Sequence, residues 1–229
     1  MKKTPSLPTL ANVVFALSLG LCASANAQDA KPGDPVAGQK KAEMCNGCHG
    51  IDGYRGSFPE VYKVPKIAGQ NAKYIVAALT EYRKGDRKHP SMRGIAGSLS
   101  EQDMADLAAY FEQLGKTGHG GDAPPAQGDH APPPQVAKLL GQANCASCHG
   151  ANFSTPIDPS YPKLAGQYSD YLYAALKAYQ TDHNPLVGRN NAIMMGMARP
   201  FTHGEIKAIA DYLSSLPGEL KTVQQARFR

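Results

Sequence analysis

Two short stretches of the chain hold residues that can do chemistry together: Cys45-Asn46-Gly47-Cys48-His49 and Cys145-Ala146-Ser147-Cys148-His149. Each places two thiols about one helical turn apart with a histidine directly behind them. Thiols at that spacing can each form a thioether to one of the two vinyl groups on a single porphyrin edge. The histidine then points an imidazole nitrogen at the iron, so the pattern is the covalent attachment signature of a c-type haem. Paired cysteines also serve as zinc clips, but structural zinc ligands gather in one compact cluster. Here the pairs lie 100 residues apart and each has its own histidine. The expectation is two covalently bound haem c groups, attached at Cys45, Cys48, Cys145 and Cys148, with His49 and His149 as axial ligands.

The face of each iron opposite the histidine needs its own donor. Met92 lies 43 residues after His49, and the second copy offers Met194, Met195 and Met197 in Met194-Met195-Gly196-Met197. An ungapped alignment of the two halves at an offset of 102 sets Met194 opposite Met92. Met194 is therefore preferred, with Met197 next because the loop before it differs in length between the copies. Met104 belongs to an apolar helix stripe and reads as core. Histidine with methionine is an axial pair of electron-carrying haem, and the soft thioether raises the reduction potential. An iron so closed changes oxidation state with little rearrangement, which favours electron transfer over substrate binding. Pro65 and Pro162 stand where a main-chain carbonyl can accept the N–H of each ligating histidine and fix its ring. His89 and His183 lie in the distal-side loops and could replace a methionine. They support the alternative, a dihaem enzyme, peroxidase-like or thiosulfate-oxidising, with one open or unusual site.

These donors need helices to position them, and the fold class expected is all-α. A short helix is predicted from near Gly38 into the first motif, after a loose leader over 28–37, and residues 54–64 read as loop. Tyr74, Ile75, Ala78, Leu79 and Tyr82 share one face at helical period. Ile75, Ala78 and Leu79 are assigned to core, and the two tyrosines to its edge, where their hydroxyls could also meet a haem propionate or a neighbouring domain. The run Arg83 to Lys88 reads as a solvated charge run, with a docking patch beside a haem edge as the alternative. Ser100 and Asp103 form a capping box that opens a helix with Met104, Leu107, Ala108, Phe111 and Leu114 on one face, and Gly115 is predicted to stop it.

The second half repeats the first. Pro162-Lys163-Leu164-Ala165-Gly166-Gln167 matches Pro65 to Gln70 at an offset of 97, as do Tyr171, Leu172, Ala175, Leu176 and Tyr179 for the amphipathic face. Thr202 and Glu205, followed by Ile206, Ile209, Ala210, Leu213 and Leu216, match the last helix at 102. The chain of 229 residues thus divides into a domain over 28–115, a Gly/Pro-rich linker over 116–135, a domain over 136–220 and a tail over 221–229. His119 and His130, in the linker, read as solvated.

Lys2, Lys3, an apolar run from Ala11 to Leu21 and Ala25-Asn26-Ala27 read as a cleaved signal peptide ending at Ala27. The run is too short to span a bilayer. Cys22 would leave with that segment, and with the other four cysteines assigned to haem no disulfide is expected. The address implied is a bacterial periplasm. Removal of Lys2 and Lys3 lowers the formal net charge from +5 to +3. That balance is no nucleic-acid footprint. With no tryptophan in the chain, a covalent haem would supply apolar bulk that domains of this size otherwise lack.

Taken together, the two Cys-x-x-Cys-His-Gly motifs, the two Pro-Lys-x-Ala-Gly-Gln segments, the Met-x-Gly-x-Ala stretches at Met92 and Met194 and the Ala-x-Tyr helices near Tyr110 and Tyr212 resemble the dihaem cytochrome c4 family. The resemblance implies two tandem cytochrome c domains, each a small helical fold around one haem, packed about a pseudo-two-fold axis with propionate edges facing. It also implies electron shuttling from a quinol-oxidising cytochrome complex or a dehydrogenase to a terminal oxidase, as a free carrier or as the haem subunit of a larger dehydrogenase. The long linker and the residues inserted before Met194 depart from the family pattern and leave the tightness of domain packing open. The tail from Lys221 to Arg229 is a candidate partner contact.

Overall fold

The computed structural model of the protein describes residues 31–117 and 130–224. The expected signal peptide with its cleavage site and Cys22, most of the linker with His119, and the end of the tail at 225–229 lie outside the described residues.

Helix α1 (Pro35–Lys41) begins three residues before Gly38. Asp34 caps it by accepting from Val36 N–H at 2.8 Å, and Pro35 occupies the first turn, where a missing N–H costs nothing. The leader is therefore shorter than expected. After Ala42 the chain enters α2 (Glu43–His49), which carries the first motif. The segment read as loop forms a two-residue hairpin, β1 (Arg55–Gly56) against β2 (Tyr62–Lys63). Helix α3 (Ala72–Lys84) follows, ended by Gly85 in the left-handed conformation at φ 88°, and then β3 (Arg87–Lys88), α4 (Pro90–Gly97) and α5 (Glu101–Thr117).

The second half repeats the plan with α6 (Pro134–Gln142), α7 (Ala146–His149), α8 (Ser169–Gln180), β4 (Gly188–Arg189), α9 (Ala192–Ala198) and α10 (His203–Ser215). Helix α6 starts inside the stretch read as linker. Both capping boxes form. Ser100 Oγ accepts from Asp103 N–H at 3.1 Å while the Asp103 carboxylate takes Ser100 N–H at 3.0 Å, and Thr202 and Glu205 do the same for α10.

In each half the first helix packs on the last. Helix α1 crosses α5 so closely that a Cβ on Gly38 would lie 2.1 Å from the Asp106 carbonyl oxygen. The core of the first half joins Ala42, Ile75, Leu107, Ala108, Tyr110 and Phe111, with Cys45 and Leu79 against it. Val136, Leu139, Phe153, Leu172, Ile206, Ile209 and Leu213 form the second core, with Cys145 at its edge. Met104 is 1% exposed, a core residue as read from its stripe.

Three expectations are corrected. Gly115 does not stop α5, which runs on to Thr117. It is the point where Gly69 approaches the helix, since a Cβ on Gly115 would sit 2.1 Å from Gly69 Cα. Arg87 is not solvated but 5% exposed, because β3 pairs with β4 of the other half and turns the side chain inward. The described part of the tail, read as a candidate partner contact, packs within the molecule. Lys221 N–H donates to Ala68 O at 2.9 Å, and Leu220, Thr222 and Val223 are buried.

The two halves meet through polar contacts that repeat about a pseudo-two-fold axis. Gln70 Nε2 donates to Lys163 O at 3.1 Å and its Oε1 accepts from Lys163 N–H at 2.9 Å. Gln167 mirrors it on Lys66, at 2.9 and 3.0 Å. Lys177 pairs with Glu60 at 2.9 Å, Lys63 N–H donates to Asp170, and Asn190 N–H to Asp86 O. Despite the long linker, the domains pack closely.

Candidate functional site

Helix α2 presents Cys45 and Cys48 on one turn, half-buried, with His49 closing the helix. His49 Nδ1 lies 2.8 Å from the Pro65 carbonyl oxygen, and His149 Nδ1 lies 3.1 Å from that of Pro162. A carbonyl only accepts, so each ring carries its proton on Nδ1 and keeps the Nε2 lone pair for another partner. Burial holds both imidazoles below their ordinary pKa, which keeps them neutral. Burial also pushes the Cys45 thiol up to about 11 and moves Cys145 in the same direction. Among the described residues no three His, Cys, Asp or Glu side chains gather as a metal cluster.

A short capped helix carries each of the two aligned methionines. His89 caps α4, its Nδ1 accepting from Met92 N–H at 3.3 Å. Asn191 caps α9, its Oδ1 accepting from Met194 N–H at 3.1 Å. Met92 and Met194 therefore hold the same third position of matching helices, as the offset of 102 implied, and both are half-buried. Met197 is 41% exposed, one turn further on. His183 is exposed at φ 56°.

Neutral imidazoles with free Nε2, paired thiols on one helical turn and a positioned thioether form a donor set that fits covalent haem in both halves. Tyr74 and Tyr82 lie around Arg87 at the domain boundary, and the Tyr82 ring also meets the His89 ring edge-on at 6.5 Å. Arg87 Nε and Nη2 reach Glu81 Oε2 at 3.1 and 2.9 Å, Nη1 donates to the Tyr74 hydroxyl at 3.2 Å, and the guanidinium lies over the Tyr82 ring. Arg189 repeats this with Tyr171 and Tyr179. Reading of the motifs alone missed Gln70 and Gln167. Their signal was present, because both end the repeated Pro-Lys-x-Ala-Gly-Gln segment.

Two such sites on one helical chain define a tandem c-type haem protein. The family model for cytochrome c matches residues 35–115 and 135–217. Over 215 residues the chain is 32% identical to cytochrome c4 of Stutzerimonas stutzeri, covering 89% of this chain and 97% of that one. It is 31% identical over 224 residues to the thiosulfate dehydrogenase electron acceptor of Stutzerimonas stutzeri strain A1501, covering 92% and 95%. The crystal structure of reduced recombinant cytochrome c4 from Pseudomonas stutzeri is similar at a TM-score of 0.57 and 29% identity, over 80% of this chain and 99% of that chain. The chain belongs to the cytochrome c4 family, carries two covalent haem c groups, and works in electron transfer.

Proposed function

We propose that the protein is a periplasmic carrier of single electrons in which both irons are closed. His49 and Met92 hold one, His149 and Met194 the other, and the thioethers are made by Cys45, Cys48, Cys145 and Cys148. The haem supplies reversible one-electron exchange at iron. The chain's own residues orient the imidazoles through Pro65 and Pro162, set the thioethers by the caps at His89 and Asn191, and hold the domains together. The observation that carries this reading is the matched capping of Met92 and Met194, which supports the same donor in both halves.

An enzyme with one open site finds less support. His89 has its Nδ1 engaged by Met92 N–H, and His183 lies exposed in a left-handed turn. The partners proposed are redox proteins, a quinol-oxidising cytochrome complex or a dehydrogenase as donor and a terminal oxidase as acceptor. Similarity to a thiosulfate dehydrogenase electron acceptor supports a dehydrogenase as donor.

The test is the absorption spectrum of the reduced protein with and without carbon monoxide, followed by stopped-flow reduction by thiosulfate dehydrogenase with thiosulfate. Unchanged low-spin bands and fast reduction are expected. A carbon monoxide shift in either haem would overturn the closed-site reading, and absence of reduction would remove that donor.

A further inference from the structure

The hydrogen bonds that join the two domains end on the same peptide groups that hold the two motif histidines. In the peptide between Pro65 and Lys66, the carbonyl faces His49 Nδ1 at 2.8 Å and the N–H donates to Gln167 Oε1 at 3.0 Å. In the peptide between Pro162 and Lys163, the carbonyl faces His149 Nδ1 at 3.1 Å and the N–H donates to Gln70 Oε1 at 2.9 Å. One amide thus links an imidazole of its own domain to a glutamine of the other, and the arrangement occurs twice with the domains exchanged. Both glutamines are 4% exposed, so water does not compete for these bonds. Each is held in place by its second bond, from Nε2 to the carbonyl of the same lysine, and by the N–H of the residue that follows it.

We propose that Gln167 and Gln70 are positioning residues for the haem of the opposite domain, each acting through one peptide group on the ligating histidine. This rests on the carrier reading, in which His49 and His149 are iron ligands. An acceptor on the N–H of an amide draws electron density toward its carbonyl oxygen, and hydrogen bonds in such chains strengthen one another. The carbonyl becomes a stronger acceptor for Nδ1–H, and the imidazole becomes a more basic ligand at Nε2. A more basic ligand favours the oxidised iron and lowers the potential. The domain interface therefore sets part of each potential, and separating the domains would raise both.

The test uses full-length dihaem protein and the variants Gln167→Met and Gln70→Met, which keep side-chain length and remove both polar bonds. Redox titration followed by proton NMR, which resolves the two haems, gives each midpoint potential. Gln167→Met is expected to raise the potential of the first-domain haem, leave the second within error, and move the His49 Nδ1–H resonance of the reduced protein upfield. Gln70→Met is expected to do the same to the second-domain haem and His149. Shifts confined to the haem of the mutated domain, equal shifts in both haems, or no shift would overturn the proposal. Should either methionine variant fold poorly, Gln167→Glu and Gln70→Glu keep the acceptor and are read the same way, with the crossed haem expected to shift down. Two low-spin one-electron steps in the unaltered protein keep the carrier reading whatever the variants show, and their absence would overturn both.

Discussion

Arg87 and Arg189 are register partners in the two-residue antiparallel ladder that joins the domains, β3 from one half and β4 from the other. Their surroundings match, Tyr74 and Tyr82 around one and Tyr171 and Tyr179 around the other, except at a single position. Glu81 binds Arg87 through two nitrogens, and the residue at the offset of 97 is Ala178. Arg189 donates to the Tyr171 hydroxyl at 3.0 Å, as Arg87 does to that of Tyr74. Burial pushes that phenol up, but Arg189 and Arg87 outweigh it and hold it below its ordinary pKa, whereas burial takes Tyr74 to about 12. Glu81→Gln should remove a carboxylate paired with Arg87 and destabilise the protein by about 1.5–3 kcal/mol, the usual worth of a hydrogen bond to a charged group. Urea denaturation of the variant measures this, and an unchanged midpoint would refute it.

The two methionines should be separable by ligand binding. Met92→Ala should open only the first-domain haem to carbon monoxide and Met194→Ala only the second, each converting half of the reduced absorption change. Met197→Ala should leave both closed. Binding in the Met197 variant would move the assignment one turn along α9.

Acid should weaken the contact between α1 and α5. Lys41 Nζ lies 2.6 Å from Asp103 and 2.8 Å from Asp106, and the bond from Lys41 holds the Asp103 carboxyl at about 2. An unfolded aspartate titrates near pH 4. Because the folded value is depressed, this contribution is complete above about pH 4 and disappears as pH falls toward 2. Lys41→Met should flatten stability against pH in that window, as read by denaturation midpoints at stepped pH. A profile as steep as that of the unaltered protein would count against the pair.

Close packing at Gly38 yields a sharp contrast. Gly38→Ala places a methyl 2.1 Å from the Asp106 carbonyl oxygen and 2.8 Å from Tyr110 Cβ, so the helices must part. A loss of about 2–4 kcal/mol is expected, in the range of overpacked cores. Gly141→Ala, in α6 with nothing within 4 Å, should be neutral or gain up to about 1 kcal/mol from helix propensity. Thermal melts of the pair decide it.

How much could be read from residues alone differs from element to element. The Cys-x-x-Cys-His motifs, the two capping boxes and the amphipathic faces were legible because their signals are local, a fixed spacing or a helical period. Met104 fell correctly into the core by the same period. Arg87 was misread because its burial depends on a strand pairing from a residue 102 positions away, which no local charge pattern records. Gly115 looked like a stop because glycine often ends helices, whereas here it admits Gly69 across the helix surface. Lys221 to Val223 read as part of a tail for contact with a partner, since nothing nearby in sequence marks Ala68 as their neighbour. Gln70 and Gln167 were visible as repeated letters, but their exchange across the boundary required the relative placement of the domains.

The buried strap after α10 has a consequence for the order in which the molecule is completed. Val223 lies with its carbonyl beside Gly50, immediately after His49, although it is made 173 residues after that glycine. A chain emerging from its N-terminus therefore presents the first cysteine pair before the segment that packs beside Gly50 has been made. The first site to be synthesised waits for its last neighbour until the chain is almost complete.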